Sequence, residues 1–263
     1  MTAQASDLVI VLPALAAGVL VLATHVPLGA QVLKRGIVFI DLAIAQIAAL
    51  GVIIAGMGEL DPQGWMVQAA AGVAAMLGAF LLTWTEKRWP EVQEAQIGVL
   101  FILAATGGLL LLAHNPHGGE HLRDLLAGQI LWVRFDQLLF PAVAAALIIV
   151  LLMLAGERIG RLGFYLVFAL AVTVSVQLVG VYLVFASLIV PSLGVRNYVL
   201  ARRLPLAYGI GIGGYAIGLV LSTLFDLPSG ALIVWCLAAL AIGVHAAGPA
   251  RTRHRAEADR LHD

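Results

Sequence analysis

Eight stretches of this chain run from one Asp, Glu, Lys or Arg to the next with no charge inside. They span residues 8–33, 42–58, 62–85, 95–122, 137–156, 162–195, 204–225 and 227–250. A helix needs roughly 20 apolar residues to cross a hydrocarbon layer about 30 Å thick, so each run predicts at least one crossing. The crossings are read as helices because lipid gives backbone N–H and C=O groups no other partner. Composition agrees, at 62% apolar and 11% charged residues. An ordinary soluble domain has about 25% charged residues and could not bury this much apolar side chain. Disordered, collagen-like and disulfide-stapled classes are excluded by the sparse charge, the aperiodic glycines and the single cysteine, Cys236. Fifteen basic residues balance fifteen acidic ones, so no global field attracts nucleic acid. The expected fold is all-α and polytopic, with about 8–9 transmembrane segments: a membrane domain over 1–248 and a short polar tail over 249–263. No secretory signal is expected, because Met1–Asp7 carries no basic residue and no clear cleavage site follows the first apolar run.

The run 162–195 is too long for one crossing: as a single helix it would measure about 51 Å. It is interrupted at Ser175-Val-Gln177-Leu-Val-Gly180. One long tilted helix and two short legs are the alternatives, and charge chooses between them. With two legs, thirteen of the fifteen basic residues fall on one side, leaving only Arg123 and Arg134 opposite. With one helix the split is nine to six. The positive-inside rule favours the first arrangement, placing the N-terminus outside and the basic tail in the cytoplasm.

Several motifs are weighed within this frame. Gly209-Ile-Gly211-Ile-Gly213-Gly214 has a dinucleotide-loop spacing, but it lies inside an apolar span and follows no strand. With Gly218 it reads as a surface for close helix packing. The outer loop His117-Gly-Gly-Glu120-His121 formally matches an inverted zinc-protease pattern, yet two adjacent glycines oppose the rigid helix that such chemistry requires. His114, His117, Glu120 and His121 suit transient capture of a borderline cation. A polar loop with incidental histidines is the plainer reading. Asp41 lies five residues inside an apolar helix, where a carboxylate is expensive and usually faces a bundle interior or a polar path. Snorkelling to the membrane edge is the alternative. Gln46 lies near the expected bilayer midplane, about 140° round the helix from Asp41. The stretch Pro191-Ser192-Leu-Gly194-Val-Arg196-Asn197-Tyr198-Val-Leu-Ala-Arg202-Arg203-Leu-Pro205 reads as an inner basic turn, or as a short helix between its prolines that docks on another protein.

Taken in order, these pieces resemble the permease subunit of ATP-binding-cassette importers for zinc, manganese and iron. The resemblance covers about residues 10–245. It rests on Pro27-Leu-Gly29, Leu33-Lys34-Arg35-Gly36, the Asp41–Gly51 helix and Glu94-Ala-Gln96-Ile97-Gly98-Val-Leu-Phe101. It continues through Leu126-Ala-Gly128-Gln129-Ile130-Leu131, Val179-Gly180-Val-Tyr-Leu-Val, the Pro191–Arg203 stretch and Asp226-Leu-Pro228-Ser-Gly230. It implies a type II importer fold in a bacterial inner membrane and a second copy of the permease around a shared path. It also implies ABC ATPase subunits carrying ATP and Mg, and an extracytoplasmic metal-binding protein. This chain itself would bind no cofactor, and the divalent metal would be its cargo. Pro191, Ser192, Gly194, Arg196, Asn197 and Arg202 would couple to the ATPase. Where the family carries G-D-x-x-S-H-x-x-x-x-G in its second span, this chain aligned on Gly51 has Asp41 at the first Gly, Leu42 at the Asp and Gln46 at the His. The path residues carried over are therefore Asp41 and Gln46. The competing readings are a secondary transporter with Asp41 as coupling carboxylate, and an intramembrane metalloenzyme on the outer histidine loop.

The charge map makes a direct prediction. In a Cys236→Ala background, Arg202→Cys should react with an impermeant thiol reagent only after cells are opened, and His117→Cys should react in intact cells. Labelling of both from one compartment would contradict the map.

Overall fold

The computed structural model describes residues 3–57, 64–112, 130–155 and 160–249. Nine α-helices are found there: α1 (Ala3–Arg35), α2 (Ile40–Gly56), α3 (Trp65–Arg88), α4 (Gln93–Leu112), α5 (Leu139–Ala155), α6 (Arg161–Val179), α7 (Val181–Gly194), α8 (Leu200–Phe225) and α9 (Ser229–Ala246). Short 3-10 turns precede α4 and α5, and no strand occurs among the described residues. Seven helices are long and apolar enough to cross a membrane, while α2 and α7, at 17 and 14 residues, are shorter. The helices sort into a centre and a rim. In α6, 61% of the span is buried inside the protein, against 17% in α9. The rim helices α3, α4, α5, α8 and α9 expose apolar residues such as Leu77, Ile102, Leu154, Leu224 and Trp235, as lipid-facing surfaces do.

The run 162–195 is broken at Gly180, whose φ of 82° and ψ of 163° only glycine adopts readily. Contacts with α1 show that the chain reverses there. The Arg35 guanidinium, at the end of α1, lies 4.1 Å from the centre of the Phe164 ring in the first turn of α6. Higher on α1, Leu20, Val21 and Thr24 share a cleft with Ala171, Val174, Ser175 and Leu178 of α6. The Leu188 carbonyl of α7 then packs on Gly29, back near the end of α1. So α6 runs away from the Lys34/Arg35 end and α7 returns to it: the two legs expected from charge.

The same end of the bundle gathers most of the described cations. Arg161 approaches Glu86 of α3 at 3.4 Å, and Gln93 Nε2 donates to Tyr165 Oη and to the Leu82 carbonyl, both at 3.3 Å. These contacts join the end of α3, the start of α4 and the start of α6. At the far end, Asp226 stops α8 in the left-handed conformation (φ 51°), and Ser222 Oγ donates to the Leu227 carbonyl at 2.6 Å before α9 begins.

Two further details keep the helices together. Gly218 lets α8 touch the α9 backbone, where a Cβ would lie 2.6 Å from Ile233 Cα. Pro27 cannot donate to the Ala23 carbonyl one turn earlier, and Tyr208 Oη of α8 donates to it instead, at 3.2 Å. Without that hydroxyl a half-buried carbonyl would lose its side-chain donor.

Gly180→Ala should lower the thermal midpoint of the purified protein by several degrees, because the backbone there is strained by about 1–3 kcal/mol for any side chain. A melting curve in detergent, followed by size-exclusion fluorescence, measures it.

Candidate functional site

The helix that carries Asp41 starts against α4. The Phe39 N–H, at the cap position of α2, donates to Glu94 Oε1 at 3.3 Å, so a carboxylate from a neighbouring helix sits on the positive end of α2. Asp41 lies in the first turn and is fully buried, and neither carboxylate oxygen has a hydrogen-bond partner. Its direction follows from the helix contacts. Leu50 and Ile53 face Gly107 and Gly108 of α4, and Ile44 and Ile47 face Gly78 of α3. Asp41 is nine positions from Leu50, about 180° round the helix, so it turns away from α4 toward the interior of the protein. A charged carboxylate held there without a partner costs several kcal/mol. Such a group persists where folding stability is not what retains it.

Gln46 is also buried, at 7% exposure, but it shares the α4-facing side of α2 with Leu50. It sits about 7.5 Å along the helix from Asp41 and about 140° round it, so the structure does not bring the two together. Leu42, at the place of the family's Asp, is half-buried and apolar. Among the described residues no three His, Cys, Asp or Glu side chains are placed to hold one metal ion. His114, His117, Glu120 and His121 lie outside the described residues.

One buried ionisable residue escaped the charge count. His25 is fully buried in α1, with Nδ1 at 3.0 Å from both the Val21 carbonyl and Thr24 Oγ1. The carbonyl can only accept, so the geometry assigns the ring proton to Nδ1. Nε2 is then left as a bare acceptor without a partner. The signal was present in Ala23-Thr24-His25-Val26, but a scan for Asp, Glu, Lys and Arg passes over a neutral imidazole.

Of the two readings of the basic stretch, a turn or a short helix between its prolines, the structure shows the turn. Pro191, Ser192 and Gly194 belong to α7, which runs through Gly194; residues 195–199 form a non-helical turn; Arg202 and Arg203 lie in the first turn of α8. Pro191 lies in the last turn of α7, and the carbonyl one turn earlier to which it cannot donate is that of Ser187. Tyr198 pins the turn to α9, its hydroxyl donating to the Val244 carbonyl at 2.7 Å, and Arg203 Nε donates to the Tyr198 carbonyl at 2.8 Å. Arg196 and Arg202 are exposed beside it, and Asn197 Oδ1 is buried without a partner. The result is a stiffly anchored cationic surface connecting α7, α8 and α9.

Comparison with known proteins places the fold. The family model described as the ABC 3 transport family matches residues 7–159 and 156–247. An uncharacterised membrane protein of Synechocystis sp. is 26% identical over 228 residues, covering 79% of each chain. Among solved structures, PsaBC from Streptococcus pneumoniae in complex with Fab superposes with a TM-score of 0.72 at 19% identity, over 95% of this chain and 94% of that one. At that identity the likeness speaks for the fold.

Asp41→Asn separates a structural from a working role. The amide should leave the melting temperature unchanged or higher, since it removes an uncompensated carboxylate, while transport by the assembled system falls at least tenfold. Equal loss of stability and transport would identify Asp41 as a packing residue.

Proposed function

The chain belongs to the ABC 3 transport family, and from that premise we propose that it is the permease of an ATP-driven importer for a divalent metal ion, zinc, manganese or iron, or a complex of one. The observation that carries this reading is a family match running from residue 7 to residue 247, which accounts for nearly all the described helices. Two copies would enclose the path, ATPase subunits would bind ATP and Mg on the cytoplasmic side, and an extracytoplasmic binding protein would deliver the ion. The end of the bundle that carries Lys34, Arg35, Lys87, Arg88, Arg161 and Arg202 would face the cytoplasm.

In this scheme the chain performs no covalent chemistry. The turn after α7 transmits closure of the ATPase dimer: Arg196 and Arg202 meet its surface, and Tyr198 passes the displacement to α9 through Val244. Because α7 and α8 flank the turn, the same push reaches the α1 seam, where Leu188 meets Gly29 and Tyr208 meets Ala23. Asp41 and Gln46 are assigned to the path, acting at different depths because the helix separates them. His114, His117, Glu120 and His121 would first receive the ion outside, as neutral imidazole with carboxylate suits a borderline cation.

The alternative, a gradient-driven carrier using Asp41, makes an opposite prediction. In vesicles containing the permease and its ATPase, metal accumulation measured by elemental mass spectrometry should require ATP and be indifferent to an imposed proton or sodium gradient. Arg196→Glu combined with Arg202→Glu should cut ATP-driven uptake at least tenfold while the permease still purifies as a folded species. Accumulation by the permease alone under a gradient would overturn the proposal.

A further inference from the structure

The rim helix α3 ends in a group of side chains that the transport reading leaves unused. Val73, Leu77, Phe80 and Trp84 recur at spacings of four, three and four, and all are exposed, forming one apolar column along α3. Trp65 begins this helix and is 77% exposed. It lies about 28 Å from Trp84 at 1.5 Å per residue, close to the thickness of a hydrocarbon layer. Tryptophans at both ends of a span mark the two headgroup levels. Lys87 and Arg88 follow Trp84 by three and four residues, one helical turn on, and therefore sit at headgroup depth.

The geometry there is built rather than incidental. Trp84 and Trp89 pack edge to face, with centroids 5.4 Å apart and planes at 88°. The Arg88 guanidinium lies 6.0 Å from the centre of the Trp89 ring. Both cations are exposed, and no carboxylate among the described residues forms an ion pair with either. Glu86, the adjacent acid, is engaged by Arg161 at 3.4 Å. Glu91, on the 3-10 turn that follows, is exposed and pairs with neither cation. Two unneutralised cations thus meet a rigid aromatic pair at the foot of a lipid-facing column.

We propose that Lys87, Arg88, Trp84 and Trp89 form a binding site for an anionic phospholipid of the cytoplasmic leaflet, its phosphate between the two cations and its acyl chains along the Val73–Trp84 column. The choice of leaflet rests on the orientation given under Proposed function. A lipid rather than a free phosphate is the occupant because the apolar column is continuous with the cationic pair. The site adjoins the contacts that tie α3 and α4 to α6 through Glu86–Arg161 and Gln93–Tyr165, so its occupancy would brace that junction.

The test uses the full chain with Trp65, Trp132 and Trp235 replaced by Phe, leaving Trp84 and Trp89 as reporters. The protein is reconstituted in vesicles of brominated phosphatidylglycerol or brominated phosphatidylcholine, and tryptophan quenching gives the relative affinity. Phosphatidylglycerol should be preferred roughly fivefold or more, the effect expected of even one cation near an anionic surface. Lys87→Gln with Arg88→Gln should bring the preference close to one, and Lys87→Arg with Arg88→Lys should retain it. Equal quenching by both lipids, or a preference that survives the Gln pair, overturns the site. Loss of the preference in excess inorganic phosphate, at matched ionic strength, would also overturn it in favour of a free-phosphate site. Quenching reads headgroup charge beside Trp84 whichever compartment it faces, so an inverted orientation leaves the preference intact and appears separately in the Arg202→Cys labelling.

Discussion

Hydrocarbon offers no hydrogen bonds, so every polar group drawn into this bundle must find its partner on another part of the protein. Tyrosine hydroxyls meet much of that demand. Tyr165 receives Gln93 across α6 and α4, and Tyr198 reaches the Val244 carbonyl of α9. Tyr208 caps the Ala23 carbonyl that Pro27 leaves open, and Tyr215 lies 2.9 Å from Ser187 Oγ. Four of the chain's five tyrosines therefore connect separate segments, each with a rigid ring that reaches across a helix gap and a single polar atom at its tip. Apolar packing brings the helices together, and these bonds fix their register. In lipid, close van der Waals fit and a few hydrogen bonds do much of the work that water-driven burial does elsewhere.

Against that background Asp41 and His25 stand out, because among the described residues with an unpartnered buried side-chain atom they are the two that are wholly enclosed. The two lie on different central helices, and both are enclosed by the protomer. The exposed cationic turn after α7 has the opposite character: its backbone is tied down, while Arg196 and Arg202 stand exposed. A transporter needs both kinds of place, an interior whose polar groups are not all spent and a surface stiff enough to be pushed.

The sequence was most legible where physics left few choices. Charge-free runs located the helices, and the distribution of arginine and lysine decided that residues 162–195 reverse, which the Gly180 backbone and the α1 contacts bear out. Gly214 and Gly218 were readable as packing surfaces because nothing else explains glycine at that spacing in an apolar helix. The extent of the basic turn was not readable, since Pro191 usually marks a helix end and here lies inside the last turn of α7. Partners were invisible as well. Nothing near Pro27 says that Tyr208, far along the chain, will supply the missing donor, and nothing near Glu86 says that Arg161 will meet it. Those pairings depend on which helix faces come to adjoin, which one strand of letters does not encode locally. Helical periodicity did foresee that Asp41 and Gln46 diverge.

The two legs that meet in a tip at Gly180 are unequal in length. The 19 residues of α6 rise about 28 Å and the 14 of α7 return about 21 Å, so α7 ends about 7 Å short of the level at which α6 starts. Gln177 and Tyr182, both exposed, flank that tip. An amide and a phenol at the end of a full-length span are better served by water or headgroups than by acyl chains. The shorter return leaves the cationic turn recessed behind the level of Arg161, so any partner that presses on it has to reach in between the flanking helices.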